Sequence, residues 1–315
     1  LADHPDLHVD LGDTFMTDKR RDFRTAAPQY DAQRWFLGKL GASAPLFLVL
    51  GNHDGEAGYA PEIDAWSYAM RTERFPAPRI GDVYSGKTAP GSNWYAFTWG
   101  DALFVVLDPF GPTTERVRGV DAKEGFTDGA WVRTLGREQY DWLATTLATT
   151  KAKHKLVFIH HLVGGRGREA RGGAESAPYF EWGGKNADGS DGFAAHRAGW
   201  PMPIHALLVK HGVEIVFHGH DHLFVKSELD GVVYQCVPQP GNALGGTRSA
   251  EEYGYASGTI LGSPGYLRVR VTPNDATVEF VRSALETSAR REREANGAVV
   301  HAYTVTPRVA TTSGR

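Results

Sequence analysis

The residues able to do chemistry in this chain fall into four short groups. Gly12-Asp13 comes first, then Gly51-Asn52-His53-Asp54, then His160-His161, then His218-Gly219-His220-Asp221-His222. Carboxylates, amide oxygens and imidazoles are donors that hold metal ions. A mixed oxygen and nitrogen set suits Mn, Fe, Zn or Ni better than a pure Ca or Mg cage. Taken singly, each group has an ordinary reading. Gly12-Asp13 is a common turn, Asn52 is a common helix-capping Asx turn, and His160-His161 reads as a satisfied core pair. Three imidazoles at alternate positions, His218, His220 and His222, are harder to assign to packing. What decides is that every group follows an apolar run.

Those runs are the elements that must position the chemistry. Leu7–Leu11, Pro45–Leu50, Lys155–Ile159 and Val213–Phe217 read as strands, the last three continuous enough to be buried. Residues 28–41, 61–75, 137–149 and 204–211 carry helical periods, the first two opening at a proline. Strands and helices alternate to about residue 220. Hairpins are expected at 93–99/102–107, at 223–229/232–237 around Asp230-Gly231, and at 266–272/277–282. The pattern predicts an α/β core with mixed sheets, in which strand ends and the loops after them converge on one edge. Residues 1–285 are expected to form the catalytic domain, interrupted by two long structureless loops at 164–203 and 238–264. Residues 286–315 are expected to be a charged excursion, a last strand at 302–305 and a frayed tail.

Composition removes several classes. The chain has 315 residues and a formal charge of -3, which gives no support to nucleic-acid binding. No apolar window is long enough to span a membrane. Its one cysteine, Cys236, rules out an internal disulfide framework and a Cys-rich zinc module. A small molecule is the expected partner. Arg166, Arg168 and Arg171, just beyond the His160-His161 pair, bring guanidinium forks suited to phosphate oxygens, although a solvated basic loop reads equally well. Tyr179, Phe180, Trp182, Trp200 and Tyr253 offer an aromatic wall, but packing on the sheet is the favoured reading.

Gly12-Asp13, Gly51-Asn52-His53-Asp54, Val157-Phe158-Ile159-His160 and Gly219-His220-Asp221-His222 resemble, in order, the successive motifs of the calcineurin-like metallophosphoesterases. The second and third lean toward the purple acid phosphatase branch. The resemblance runs from residue 7 to about 237. It implies a four-layer αββα sandwich of two mixed β-sheets flanked by helices, and a centre of two metal ions (Fe, Mn or Zn). By position, Asp13 resembles the carboxylate that bridges both ions, Asn52, His160 and His220 the ligands of the second ion, and His222 a ligand of the first. His53 resembles the residue that faces the substrate as general acid, with Asp54 a candidate to orient it. His161 is expected to line the substrate pocket, and His218 to stand beside the ligands. The implied activity is hydrolysis of a phosphomonoester or phosphodiester by a hydroxide activated between the two metals. Similar bacterial enzymes are often exported, and a signal for that would precede Leu1.

Two departures qualify the resemblance. The family's Asp-x-His motif normally lies upstream of Gly-Asp on a strand of its own and supplies two ligands of the first metal. Asp6-Leu7-His8 spells the pattern but lies in the strand leading to Asp13, so the first core strand and two ligands are expected to be missing. The position three after Asp13, a metal-binding Tyr in purple acid phosphatases, is Met16, a poor donor for ferric iron. The alternative is therefore a catalytically incomplete scaffold that binds one metal or a phosphate. A metallo-β-lactamase reading fits worse: the His218–His222 run is one residue short of His-x-His-x-Asp-His, and Gly51–Asp54 would go unexplained.

Overall fold

A computed structural model describes residues 3–115, 128–163, 171–241, 245–283 and 295–308. In chain order the elements are β1 (His8–Asp10), α1 (Ala27–Gly41), β2 (Leu46–Leu48), α2 (Pro61–Arg74), β3 (Tyr84–Ala89), β4 (Ser92–Trp99), β5 (Ala102–Val106) and α3 (Gly136–Thr149). There follow β6 (His154–Ile159), α4 (Gly173–Ser176), α5 (Phe180–Gly183), α6 (Phe193–His196), α7 (Ile204–Lys210), β7 (Ile215–His218), β8 (Leu223–Leu229) and β9 (Val232–Cys236). The chain continues through α8 (Arg248–Glu252), β10 (Thr259–Gly262), β11 (Gly265–Val271), β12 (Ala276–Arg282) and β13 (Val299–Val305).

Eight strands form one mixed sheet in the order β10-β8-β9-β7-β6-β5-β4-β3. Its centre is parallel, with Val157 opposite Val105 and Val216. Successive side chains on a strand point to opposite faces, and these strands are apolar on both. Val105, Val157, Ile159 and Val216 face one core with Tyr140, Leu143 and Leu147 of α3, Leu207 and Leu208 of α7, and Trp182 of α5. Phe104, Phe158, Ile215 and Phe217 face a second core on the other side. That core is closed by Val9, Phe47 and Val49 and by Leu267, Val278 and Tyr303. The second sheet layer is thus in two pieces, a parallel β1-β2 pair and an antiparallel β11-β12-β13 sheet. Tyr30 of α1 packs with Leu48 of β2 and with Phe75, just past α2, adding the outer helical layer. The arrangement is the expected αββα sandwich, with its second sheet divided.

Two expectations need correcting. Residues 164–203 and 238–264 are not structureless where described: the first holds α4, α5 and α6, the second α8 and β10. Both lack a long period because each helix is only a turn or so. Phe180 and Trp182 are fully buried, in line with the favoured packing reading of these two aromatics. Strand β3 was not read from the sequence, since Tyr84–Ala89 includes Gly86 and Lys87. Residues 286–294 of the expected charged excursion and residues 309–315 of the expected tail lie outside the described residues.

At the edge where β6 begins, the two sheets are joined by a buried histidine. His154 donates from Nδ1 to Glu214 Oε1 (2.8 Å) and from Nε2 to the Thr272 carbonyl (2.8 Å). Glu214 also accepts from the Lys155 amide at 2.6 Å. The far end of the same strand carries the candidate site.

Candidate metal centre

The glycines of the first two motifs are explained by a close crossing of loops. Gly12 has φ +94°, and a Cβ on it would lie 2.4 Å from the Gly51 nitrogen. A Cβ on Gly51 would lie 2.1 Å from the Asp13 nitrogen. Only glycine lets the two backbones pass at this distance. Asp54 fastens the crossing: its carboxylate accepts from the amides of Asp13 (3.0 Å), Phe15 (2.7 Å) and Gly51 (2.8 Å). Burial and the neighbouring Asp13 charge push its carboxyl up to about 7, against the pull of those amides.

Asp13, His160 and His220 each bring one ligand atom within 4.8 Å of the others. Asp13 Oδ2 is 3.3 Å from His160 Nε2, and His220 Nδ1 is also 3.3 Å from it. Asn52 Oδ1 approaches the same nitrogen at 3.1 Å. His160 Nδ1 donates to the Leu11 carbonyl at 2.6 Å, so Nε2 is the nitrogen turned to the cluster. Burial, the largest single influence, opposes the charge on Asp13, but the hydrogen bond and charge of His160 and the His53 amide together outweigh it and hold the carboxyl down at about 2. His160 is burdened by burial too, yet Asp13 and the Leu11 carbonyl raise it. Burial, then the charges of His161 and His160, drive His220 well below the usual imidazole range. Carboxylate, amide oxygen and two imidazoles fit a divalent transition metal. Asp13, His220 and His222 all have left-handed backbones, at φ 58°, 70° and 59°.

The family model for calcineurin-like phosphoesterases matches residues 1–224, well over half of the chain. The chain belongs to the calcineurin-like phosphoesterase family. Among solved structures it is similar to PhoD, with TM-score 0.60 and 17% identity over 91% of this chain and 57% of that one. It is also similar to the purple acid phosphatase PPD1 from seeds of yellow lupin (Lupinus luteus), with TM-score 0.53 and 13% identity over 97% of this chain and 47% of that one. The chain thus spans about half the length of each. No curated protein matches it. At these identities the two structures speak to fold, and the fold agrees.

The remaining family-motif residues fall as follows. His53 is partly exposed at the mouth of the cluster, and its amide donates to Asp13 Oδ1 at 2.9 Å. Its ring donates from Nδ1 to Asp18 Oδ1 (2.8 Å), while Asn52 Nδ2 donates to Nε2 (3.1 Å). Asp54 is engaged by backbone amides and the His53 ring is held by Asp18, which corrects the orienting role expected of Asp54. Asp18 carried no sequence signal, being a lone acid on a 3-10 turn, Thr17–Lys19. His222 is exposed and outside the three-residue cluster, but close enough to feel the charge of Asp13. His218 is buried near His160, and burial lowers it to about 3. His8 pairs with Leu46 inside β1, and neither it nor Asp6 joins the cluster.

His161 donates from Nδ1 to the Leu162 carbonyl at 2.6 Å, and its ring lies edge-on to His220 at 4.7 Å. Arg133 Nη1 donates to His161 Nε2 at 3.3 Å. Arg171 donates from Nη2 to His220 Nε2 (2.5 Å), pairs through Nε with Asp221 (2.8 Å), and lies 4.2 Å over the Tyr253 ring. Arg166 and Arg168 lie outside the described residues. Arg133 was missed by sequence reasoning, because it sits in the turn before α3 with no motif around it.

Proposed function

We propose that this chain is a metal-dependent phosphoric ester hydrolase, taking a small phosphomonoester or phosphodiester. The observation that carries the reading is the convergence of Asp13, Asn52, His160 and His220 at 3.1–3.3 Å around one nitrogen, with His53 beside them. Asp13, Asn52, His160 and His220 would hold one ion, and Asp13 with His222 would contribute to a second. Fe, Mn and Zn all suit the donor set. When bound, the metals would polarise the phosphoryl oxygens and make a water more acidic.

The chain's own residues have separable tasks. Arg133 and Arg171 place two guanidiniums beside His161 and His220, where they would orient phosphoryl oxygens by charge-assisted hydrogen bonds. As the oxygen of water replaces the alcohol at phosphorus, the P–O bond to the leaving group breaks. His53 gives its proton to that leaving oxygen. Asp18 accepts from Nδ1 and keeps the ring in place. Asn52 links both halves, since its amide oxygen faces the cluster and its nitrogen faces His53.

The test is metal stoichiometry by elemental analysis, paired with turnover of p-nitrophenyl phosphate and bis-p-nitrophenyl phosphate. Bound metal together with turnover of either ester is the expected result. One metal without turnover would establish the single-metal scaffold instead, a reading favoured by Asp6 and His8 standing outside the cluster.

A further inference from the structure

Beside the cluster lies an open cleft of about 850 Å³. Asn52 and Asp18 line it, so the cleft begins where the metal donors and the partner of His53 are exposed. Phe23 and Tyr59 contribute to its walls, and Arg20 and Arg21 line it as well. We propose that this cleft receives the leaving group, and that Arg20 and Arg21 select esters whose leaving group carries a second phosphate. The inference rests on the phosphoesterase reading above and names the substrate class for it.

Direction follows from the acid. A residue that protonates the leaving oxygen must be within hydrogen-bond reach of it. The leaving group therefore departs past His53 and Asp18, and Asp18 is shared between that acid and the cleft. Position follows from the local fold. Met16 turns left-handed at φ 53°, the 3-10 turn Thr17–Lys19 follows, and the Arg20 amide closes it on the Thr17 carbonyl at 3.3 Å. One turn thus presents Asp18 to His53 and then delivers two arginines along the same wall.

Charge follows from pairing. Among the described residues neither Arg20 nor Arg21 has an ion-pair partner, whereas Arg24 is tied to Glu62 at 2.6 Å. Glu115 also lines the cleft, and Asp18 is engaged by His53, so two guanidiniums meet one uncommitted carboxylate. A phosphate dianion is the ligand two adjacent guanidinium forks fit best. Rings at the wall leave room for an apolar body between the two phosphates without demanding a particular one.

The probe pair is propane-1,3-diol bisphosphate and 3-hydroxypropyl phosphate, which differ only in the second phosphate. The metal-loaded chain should show kcat/KM about tenfold higher for the bisphosphate, the size of one good charge-assisted contact at a partly exposed site. In Arg20→Ala/Arg21→Ala, the ratio should fall to about two, the statistical factor for two equivalent esters. Binding of the bisphosphate to the metal-free chain, followed by calorimetry, should weaken in the same variant. A ratio near two in the unmodified chain, or a ratio unchanged in the variant, overturns the inference while leaving the phosphoesterase reading in place. No turnover of either ester, or of p-nitrophenyl phosphate, overturns that reading and the inference with it.

Discussion

Removing Glu56 should destabilise the protein more than almost any other single polar change. Glu56 lies three residues beyond His53, and Arg71 lies on α2. Their side chains form a two-pronged ion pair, Nε to Oε1 at 2.5 Å and Nη2 to Oε2 at 2.8 Å. Both side chains are only 2% exposed, so water cannot replace a lost partner. The pair keeps the Arg71 pKa above its ordinary value although burial alone would lower it. In Glu56→Ala a buried guanidinium loses its counter-charge and two hydrogen bonds, a change that typically costs about 3–5 kcal/mol. A chain of 315 residues unfolds with an entropy of about 0.66 kcal/mol per kelvin, so 4 kcal/mol corresponds to a fall in Tm of about 6 °C. Scanning calorimetry measures this directly. Because a buried ion pair is itself expensive to desolvate, Glu56→Leu/Arg71→Met should be less damaged than Glu56→Ala. A single variant within 2 °C of the unmodified chain would refute the reasoning. So would a double variant that falls further than the single one.

Asp13→Asn should lose metal occupancy by elemental analysis while staying folded; full occupancy would contradict the ligand role. His53→Ala should slow esters of poor leaving groups by about 10²–10⁴-fold and good ones far less, and Asp18→Asn should show the same leaving-group trend in milder form. Equal losses across leaving groups would remove His53 as the acid. Stability should fall with rising pH between about 4 and 6 through Asp108. Burial raises this carboxyl to about 6, even though it accepts from the amides of Phe110, Gly111 and Asn93. The folded chain then keeps a proton that the unfolded chain has released. The loss, at most about 3 kcal/mol, is complete above pH 6, and the difference curve against Asp108→Asn isolates it. Cys236 is fully buried and its thiol is pushed up to about 12, so it should resist iodoacetamide until the protein unfolds.

The sandwich was legible because its central strands are short apolar runs, and the candidate ligand groups stood out because each closes such a run. The Asn52-His53-Asp54 motif announced the right loop, yet the work of Asp54 was not readable from it. The three amides it accepts come from Asp13, Phe15 and Gly51, two of them from a loop about forty residues away in sequence. Asp18 and Arg133 were invisible for a related reason. An exposed acid and an arginine in a turn look like solvated surface until folding sets them against His53 and His161. The divided second sheet was also hidden, because β1 and β2 are only three residues each and their pairing is decided by tertiary contacts.

The left-handed backbones of Asp13, His220 and His222 have a consequence for how this protein can change. A non-glycine residue in that conformation typically costs about 1–2 kcal/mol, less for Asp. At His220 and His222, then, glycine would relax the backbone while deleting a candidate ligand. Selection for thermal tolerance alone, in the laboratory or in nature, would find such replacements attractive. Variants recovered that way would have higher melting temperatures and emptier metal sites. A library screened for both properties should therefore leave these two histidines unchanged and gather its stabilising substitutions elsewhere.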